Sequence, residues 1–198
     1  GLGDVYKRQI CGAWGGRPNK DGIEGVTNPS QNLSNTPVET LESQHPVRVE
    51  EYALVPNTCG AGRWRGGLGL SRSYRVLSKE AGLQLRADRM RFRPYGLQGG
   101  TEALGAINTL VQPNGEVESL PSKVNRTMYE GELIHHVQPG GGGFGDPMTR
   151  EPSRVAADVW NEKISAVYAR EEHGVVVDQV TGELDVAGTA DLRDSLRK

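Results

Sequence analysis

The chain has 198 residues, 35% of them hydrophobic and 24% charged, with 27 glycines and a formal net charge of −2. That length suits one domain or slightly more, and glycine at about twice its usual ~7% without a Gly-X-Y period excludes collagen and favours a fold with many tight turns. No run of ~18 apolar residues offers a membrane span, and the near-balance of charge gives no general pull toward nucleic acid. Two cysteines, Cys11 and Cys59, cannot build a disulfide framework and point to a reducing compartment, the cytoplasm. No basic–apolar–small leader pattern is visible at the start.

In chain order, Val47–Val55 reads as a strand: Val47, Val49, then Tyr52 and Leu54 run near period two, and the Glu50–Glu51 pair interrupts the alternation. Leu70–Leu77 is a second strand, with Leu70, Arg72, Tyr74 and Val76 on one face. Ala106–Pro113 and Glu116–Leu120 flank Asn114–Gly115, the dipeptide of a type I′ hairpin turn. Leu133–Gln138 is a further short strand. Beyond residue 145 the period changes. Pro152 opens a helix near 152–162 that carries Val155 and Val159, and a second helix runs from a Ser165 cap to a Gly174 stop. Val175–Asp178 and Glu183–Val186 form a small hairpin, and Thr189 is expected to cap a last helix over 190–197. Only three glycines fall in 146–198, where seven bases face eleven acids. The expected fold is α+β: a β-rich, loop-rich body at 10–145 and a small helical, acidic tail at 146–198 of the same domain.

The densest chemical signal is basic. Arg63–Arg93 holds nine cations, among them Arg65, Arg72 and Arg75, against Glu80 and Asp88. Arginine forks pair carboxylates and phosphates, so the cluster suits an anionic small molecule or an acidic neighbouring subunit, or simply faces water. Gly140-Gly-Gly-Gly-Phe-Gly145 satisfies GxGxxG after a strand. No helix starts inside it, because Asp146–Pro147 intervenes, which argues against a dinucleotide site while an amide nest for an oxyanion stays open. There is no GxxxxGK[ST] and no GxSxG. His135 and His136 are neighbours on one strand and point to opposite faces, so they cannot share one metal ion. His45 and His173 read as structural, and neither cysteine has the setting of a nucleophile.

Six blocks follow one another along the chain. They are Trp14-Gly-Gly-Arg17-Pro-Asn-Lys-Asp21-Gly22, Asn35-Thr-Pro-Val-Glu39 and Gly60-Ala-Gly-Arg63-Trp-Arg-Gly-Gly67-Leu-Gly69, then Arg91-Phe-Arg-Pro-Tyr-Gly-Leu-Gln-Gly-Gly100, Leu120-Pro-Ser-Lys123 and Pro139-Gly-Gly-Gly-Gly-Phe-Gly-Asp-Pro147. Together they resemble the hydantoinase B/5-oxoprolinase family from about residue 10 to Tyr168–Val177. Members of that family are much longer, so the resemblance implies the C-terminal portion of a longer polypeptide. Residues 1–9 do not continue the pattern and read as a non-native segment. The resemblance further implies ATP-dependent opening of a cyclic amide, 5-oxoproline or an N-methylhydantoin, with ATP and Mg used by a hydantoinase A-type partner. A metal would belong to the N-terminal part of the family's chain, and none is expected to be bound by this one. The alternative is a subunit-docking module of an acetone or acetophenone carboxylase-type complex. On this reading the candidate substrate-binding residues are Arg17, Asp21, Arg63, Arg91, Arg93, Gly140, Gly141, Gly142, Gly143 and Gly145, with no catalytic residue assigned.

Overall fold

The first regular elements are a short helix and two long strands: α1 (Val38–Gln44), β1 (Val47–Val55) and β2 (Gly69–Val76). They are followed by β3 (Glu80–Arg86), β4 (Ile107–Val111), β5 (Val117–Ser119), β6 (Lys123–Tyr129) and β7 (Leu133–Val137). The tail carries a 3-10 turn (Pro147–Thr149), α2 (Pro152–Trp160), α3 (Ala166–His173), β8 (Val176–Val177), β9 (Leu184–Asp185) and α4 (Val186–Leu196). These elements come from a computed structural model that describes residues 12–27 and 34–196; the segment 1–9 and Cys11 lie outside the described residues.

Five strands form an antiparallel sheet in the order β1-β2-β7-β4-β5. The β1–β2 register runs from Val47↔Val76 to Val55↔Gly69 and shifts between Val49 and Glu51. The extra residue sits at the Glu50–Glu51 pair, where a β-bulge restores the apolar residues of β1 to one face. A separate ribbon, β3 paired with β6, brings Ala81, Leu83, Leu85 and Val124 onto a core of Val76, Leu110, Leu120, Met128 and Ile134. Leu110 and Leu120 are almost wholly buried there, each stabilising the fold by roughly 1.5–3 kcal/mol.

A second core joins the body to the tail: Cys59 and Leu68 pack with Val155, Ala156 and Val159 of α2, and with Ile164, Ala169, Val175 and Val177. Tyr168 donates its hydroxyl hydrogen to the Cys59 carbonyl at 2.7 Å. α3 has the expected caps: the Ser165 hydroxyl accepts from Tyr168 N at 3.1 Å, and Gly174 takes the left-handed conformation at φ +59°.

Two local expectations need correction. The hairpin at Asn114–Gly115 forms, but not through a type I′ turn: Gly115 has positive φ and Asn114 does not. Gly115 N bonds to Gln112 O at 2.9 Å and Gln112 N to Glu116 O at 2.8 Å. Pro113 holds φ near −65°, which suits the first central residue of a type I turn, and Gly115 then supplies the left-handed residue of a three-residue loop. The last helix starts at Val186, not after Thr189. Asp185 accepts from Gly188 N at 2.8 Å at its start, and the Thr189 hydroxyl is drawn inside, where it accepts from Val176 N of β8 at 3.0 Å.

Candidate functional site

The glycine loop 140–145 is the centre of the molecule rather than its rim. Gly140, Gly141, Gly142 and Gly143 are buried, and a methyl group on each would meet the carbonyl oxygens of Thr58, Trp14, Tyr95 and Ala61 respectively, well under 3.0 Å. Gly140 and Gly143 thus face one segment while Gly141 and Gly142 each face another. Only hydrogen fits at these four positions. Gly141 N bonds to Gly67 O at 2.9 Å, Gly143 N to Thr101 O at 3.0 Å and Gly145 N to Leu97 O at 2.9 Å. In return Gly142 O accepts from Gly16 N at 2.8 Å, Gly141 O from Gly60 N at 2.8 Å and Gly143 O from Leu97 N at 2.9 Å. Phe144 and Trp64 exchange both their backbone bonds. The N–H groups of Gly140, Gly141, Gly143, Phe144 and Gly145 are thus turned onto protein carbonyls and not onto an open amide nest, and the loop stitches four of the sequence blocks together.

Asp21 also has a different setting from the one expected. Its carboxylate accepts from Arg65 N (3.0 Å), Arg150 Nη1 (2.7 Å), Arg150 Nη2 (3.0 Å) and Arg154 Nη2 (3.1 Å), which fills its acceptor positions. Burial raises the Asp21 carboxyl, and the hydrogen bonds and charge of Arg150, with Arg154 and Arg65, more than reverse this, so it ionises below its ordinary value. Beneath it Asp158 accepts from Arg65 Nε at 3.0 Å and Arg150 Nη2 at 2.6 Å, and Glu24 accepts from Arg65 Nη1 at 2.8 Å. Arg65 and Arg150 are almost fully buried, yet each has carboxylates on its fork. The network ties the first block to α2. Arg150 and Asp158 were not singled out by sequence, though Asp158 was visible as a charge beside the apolar Val155–Val159 face.

Of the other candidates, Arg17 lies with its guanidinium 5.5 Å from the Trp14 ring centre. Arg63 is exposed beside the hub, its backbone N bonded to Gly145 O. Arg91 is exposed next to Phe92, and Arg93 pairs with Glu102 at 3.2 Å in the open. Around them Phe92, Tyr95 and Leu97 are 74%, 68% and 52% exposed, a large apolar display for one loop. So Arg63, Arg91 and Arg93 are exposed, whereas Gly140–Gly143 are buried and Asp21 and Gly145 are half-buried.

The two histidines do separate to opposite faces. His135 Nδ1 is 2.8 Å from Ser73 Oγ and 3.8 Å from Glu51 Oε2, so hydroxyl and carboxylate meet the same nitrogen, which is not the arrangement of a nucleophile–base–acid relay. His136 is buried with Nδ1 on Asn108 Oδ1; burial and the neighbouring His135 push its pKa down to about 4. His173 is fully buried against Pro147 O, and Cys59 is a buried thiol pushed up to about 11 by burial. Among the described residues no three His, Cys, Asp or Glu side chains gather as a metal ion would require, and no helix is long and apolar enough to cross a membrane.

Known proteins resemble this chain in sequence and in fold. The B-type component of a D-/L-hydantoinase from Pseudomonas sp. (strain NS671) is 35% identical over 191 residues, covering 96% of this chain and 32% of its own length. The 5-oxoprolinase of Dictyostelium discoideum is 33% identical over 140 residues, covering 71% of this chain and 11% of its own. The crystal structure of the ATP-dependent caprolactamase from Pseudomonas jessenii superposes with a TM-score of 0.80 at 32% identity, over 93% of this chain and 33% of that one. Acetone carboxylase, in its nucleotide-free structure, shares the fold with a TM-score of 0.77 at 22% identity. The chain thus spans about a third or less of the length of the relatives it matches. The family model described as Hydantoinase B/oxoprolinase matches residues 3–147, beginning inside the segment 1–9, and this chain belongs to that family.

Proposed function

We propose that this chain is the C-terminal part of a hydantoinase B-type subunit that acts, with an ATP-binding A-type subunit or fused region, in the ATP-dependent hydrolysis of a cyclic amide such as 5-oxoproline or an N-methylhydantoin. The observation that carries the reading is the hub: its Gly140–Gly143 segment admits no side chain, and the chain that builds it is about a third identical to a hydantoinase, a 5-oxoprolinase and an ATP-dependent caprolactamase alike. In this scheme the partner uses ATP and Mg to activate the amide carbonyl, and the remaining family chain supplies any metal. This chain holds one wall of the site, presenting Arg63, Arg91 and Arg93 where an anionic activated intermediate is stabilised by fixed cations.

The exposure of Phe92, Tyr95 and Leu97 supports a second reading, in which the same surface docks the neighbouring subunit of a carboxylase-type assembly and takes no part in chemistry. The test replaces the matching third of the caprolactamase beta component with this chain. The first reading expects ATP-dependent ring opening in the chimera, and expects Arg91→Ala with Arg93→Ala to lower turnover while co-purification with the partner subunit persists. A folded, assembled chimera without activity refutes it, and loss of co-purification on the arginine changes favours docking.

A further inference from the structure

The β3–β6 ribbon turns one face to the core and the other to solvent. Leu83, Leu85 and Val124 pack inward, and alternation leaves Gln84, Arg86, Lys123 and Asn125 exposed on the outer face. The register sets Gln84 directly across from Asn125 and Arg86 directly across from Lys123. These four side chains, with Leu85 and Val124 between them as a floor, line an open well of about 220 Å³. That is several times the ~30 Å³ of one water in the liquid, so a small oxyanion can enter. Gly82, next on the outer face of β3, adds no side chain that would close it.

Two cations set directly opposite each other repel, and a cross-strand pair of like sign weakens a ribbon. Arg126, on the inner face of the same ribbon, holds Glu118 at 2.7 Å. Neither Arg86 nor Lys123 has a carboxylate or a side-chain hydrogen bond among the described residues, and the Gln84 and Asn125 amides are likewise free there. Both cations were visible in the sequence: Arg86 within the Arg63–Arg93 run, Lys123 at the end of the Leu120–Lys123 block. Their two charges match a dianion. The guanidinium, the ammonium and the two carboxamides can donate to several oxygens at once. A phosphate group presents that many acceptors, whereas a carboxylate brings one charge and two oxygens.

We propose that the outer face of the β3–β6 ribbon is a binding subsite for a phosphate group, held between Arg86 and Lys123 and oriented by Gln84 and Asn125. It rests on this ribbon and does not depend on the cyclic-amide reading. The test follows the backbone amides of Leu85 and Val124 and the side-chain amides of Gln84 and Asn125 in the whole chain by NMR, at pH ~8, where phosphate is a dianion. Inorganic phosphate, glycerol 3-phosphate and acetate are titrated at constant ionic strength against chloride. The two phosphates should shift these resonances to saturation, the lower midpoint marking the free ion or its ester as the better ligand, while acetate leaves them in place. Arg86→Ser and Lys123→Ser should each raise the midpoint about fivefold, the upper range for an exposed ion pair. Lys79→Ser, which removes the same charge beside the other end of the ribbon, should not change it. All three side chains are exposed, so the variants keep the fold. No saturable shift in the wild-type chain, an equal shift with acetate, or a Lys79→Ser midpoint raised as far as that of Lys123→Ser would each overturn the proposal.

Discussion

Gly143→Ala is the sharpest test of the hub. The added methyl would sit well inside contact distance of the Ala61 carbonyl oxygen and carbon, all backbone and held in the 60–67 segment by its own hydrogen bonds. Relief requires the two segments to part, which strains or breaks Gly143 N→Thr101 O (3.0 Å) and Leu97 N→Gly143 O (2.9 Å). Overpacking of this kind costs about 1–3 kcal/mol, and two weakened backbone bonds add about 1 kcal/mol each. The expected loss is therefore about 3–5 kcal/mol, or about 6–20 °C in melting temperature for a chain of this size. Gly82→Ala is the matched control: Gly82 lies in β3 with negative φ and nothing within 4 Å of an added methyl, so it should change stability by no more than ~0.5–1 kcal/mol, and in the favourable direction. Thermal melts followed by circular dichroism read both. Two variants that melt within a degree of each other would refute the close packing of the hub.

Asp158→Ala strands the buried Arg65 and Arg150 with one carboxylate fewer and should lower stability by about 3–5 kcal/mol; urea unfolding measures it, and a loss below ~1 kcal/mol would mean the network is solvated. His136 and His173 are held neutral with folded pKa values of about 4 against 6.5 when exposed, so their contribution is complete above pH ~6.5 and is lost as pH falls toward 4, on the order of 3 kcal/mol each. Asp21, depressed below its ordinary value of 3.8, adds a further loss only below that pH, so a melting temperature that stays flat from pH 7 to 4.5 contradicts the buried-histidine picture. The chain by itself, incubated with ATP and 5-oxoproline, should release no glutamate, and ATP-dependent release would refute the need for a partner.

How legible was this fold? Where the determinants are local, nearly all of it. The β1 bulge is written in Glu50–Glu51, and α3 is bounded by a Ser165 hydroxyl and a Gly174 backbone that act within one turn. β3 and β6 escaped notice although Ala81, Leu83 and Leu85 alternate, because the ribbon exists only when Glu80–Arg86 meets Lys123–Tyr129, some forty residues on. α1 escaped for another reason: seven residues with Leu41 as the sole buried side chain carry no period, and packing rather than propensity holds the helix. The site shows the same division. The glycine run was plain in the sequence, but which groups approach it was not, so an amide nest and a packed hub looked alike. The Asp21–Arg150 pair spans 129 positions, and nothing near either residue announces the other.

The hub also explains why four of the six blocks, those at 14–22, 60–69, 91–100 and 139–147, are rich in glycine. A sheet fixes its strands through a continuous ladder, but segments that enter from different directions can be held only where backbones touch directly. Gly140–Gly145 touches the Trp14, Gly60–Gly67 and Tyr95–Thr101 segments at once, and its bonds run to each of them. At Gly140, Gly141, Gly142 and Gly143 the contact needs hydrogen as the side chain, because a single added methyl meets carbonyl oxygens of the neighbouring segments. The outcome is a set of loops as constrained as a sheet interior, with Arg63, Arg91 and Arg93 and the exposed Phe92, Tyr95 and Leu97 mounted on it. Long side chains on a rigid backbone lose less entropy when a partner or substrate arrives than the same groups on a mobile loop would. Glycine, the residue of flexibility in an unfolded chain, is here what makes the presenting surface stiff.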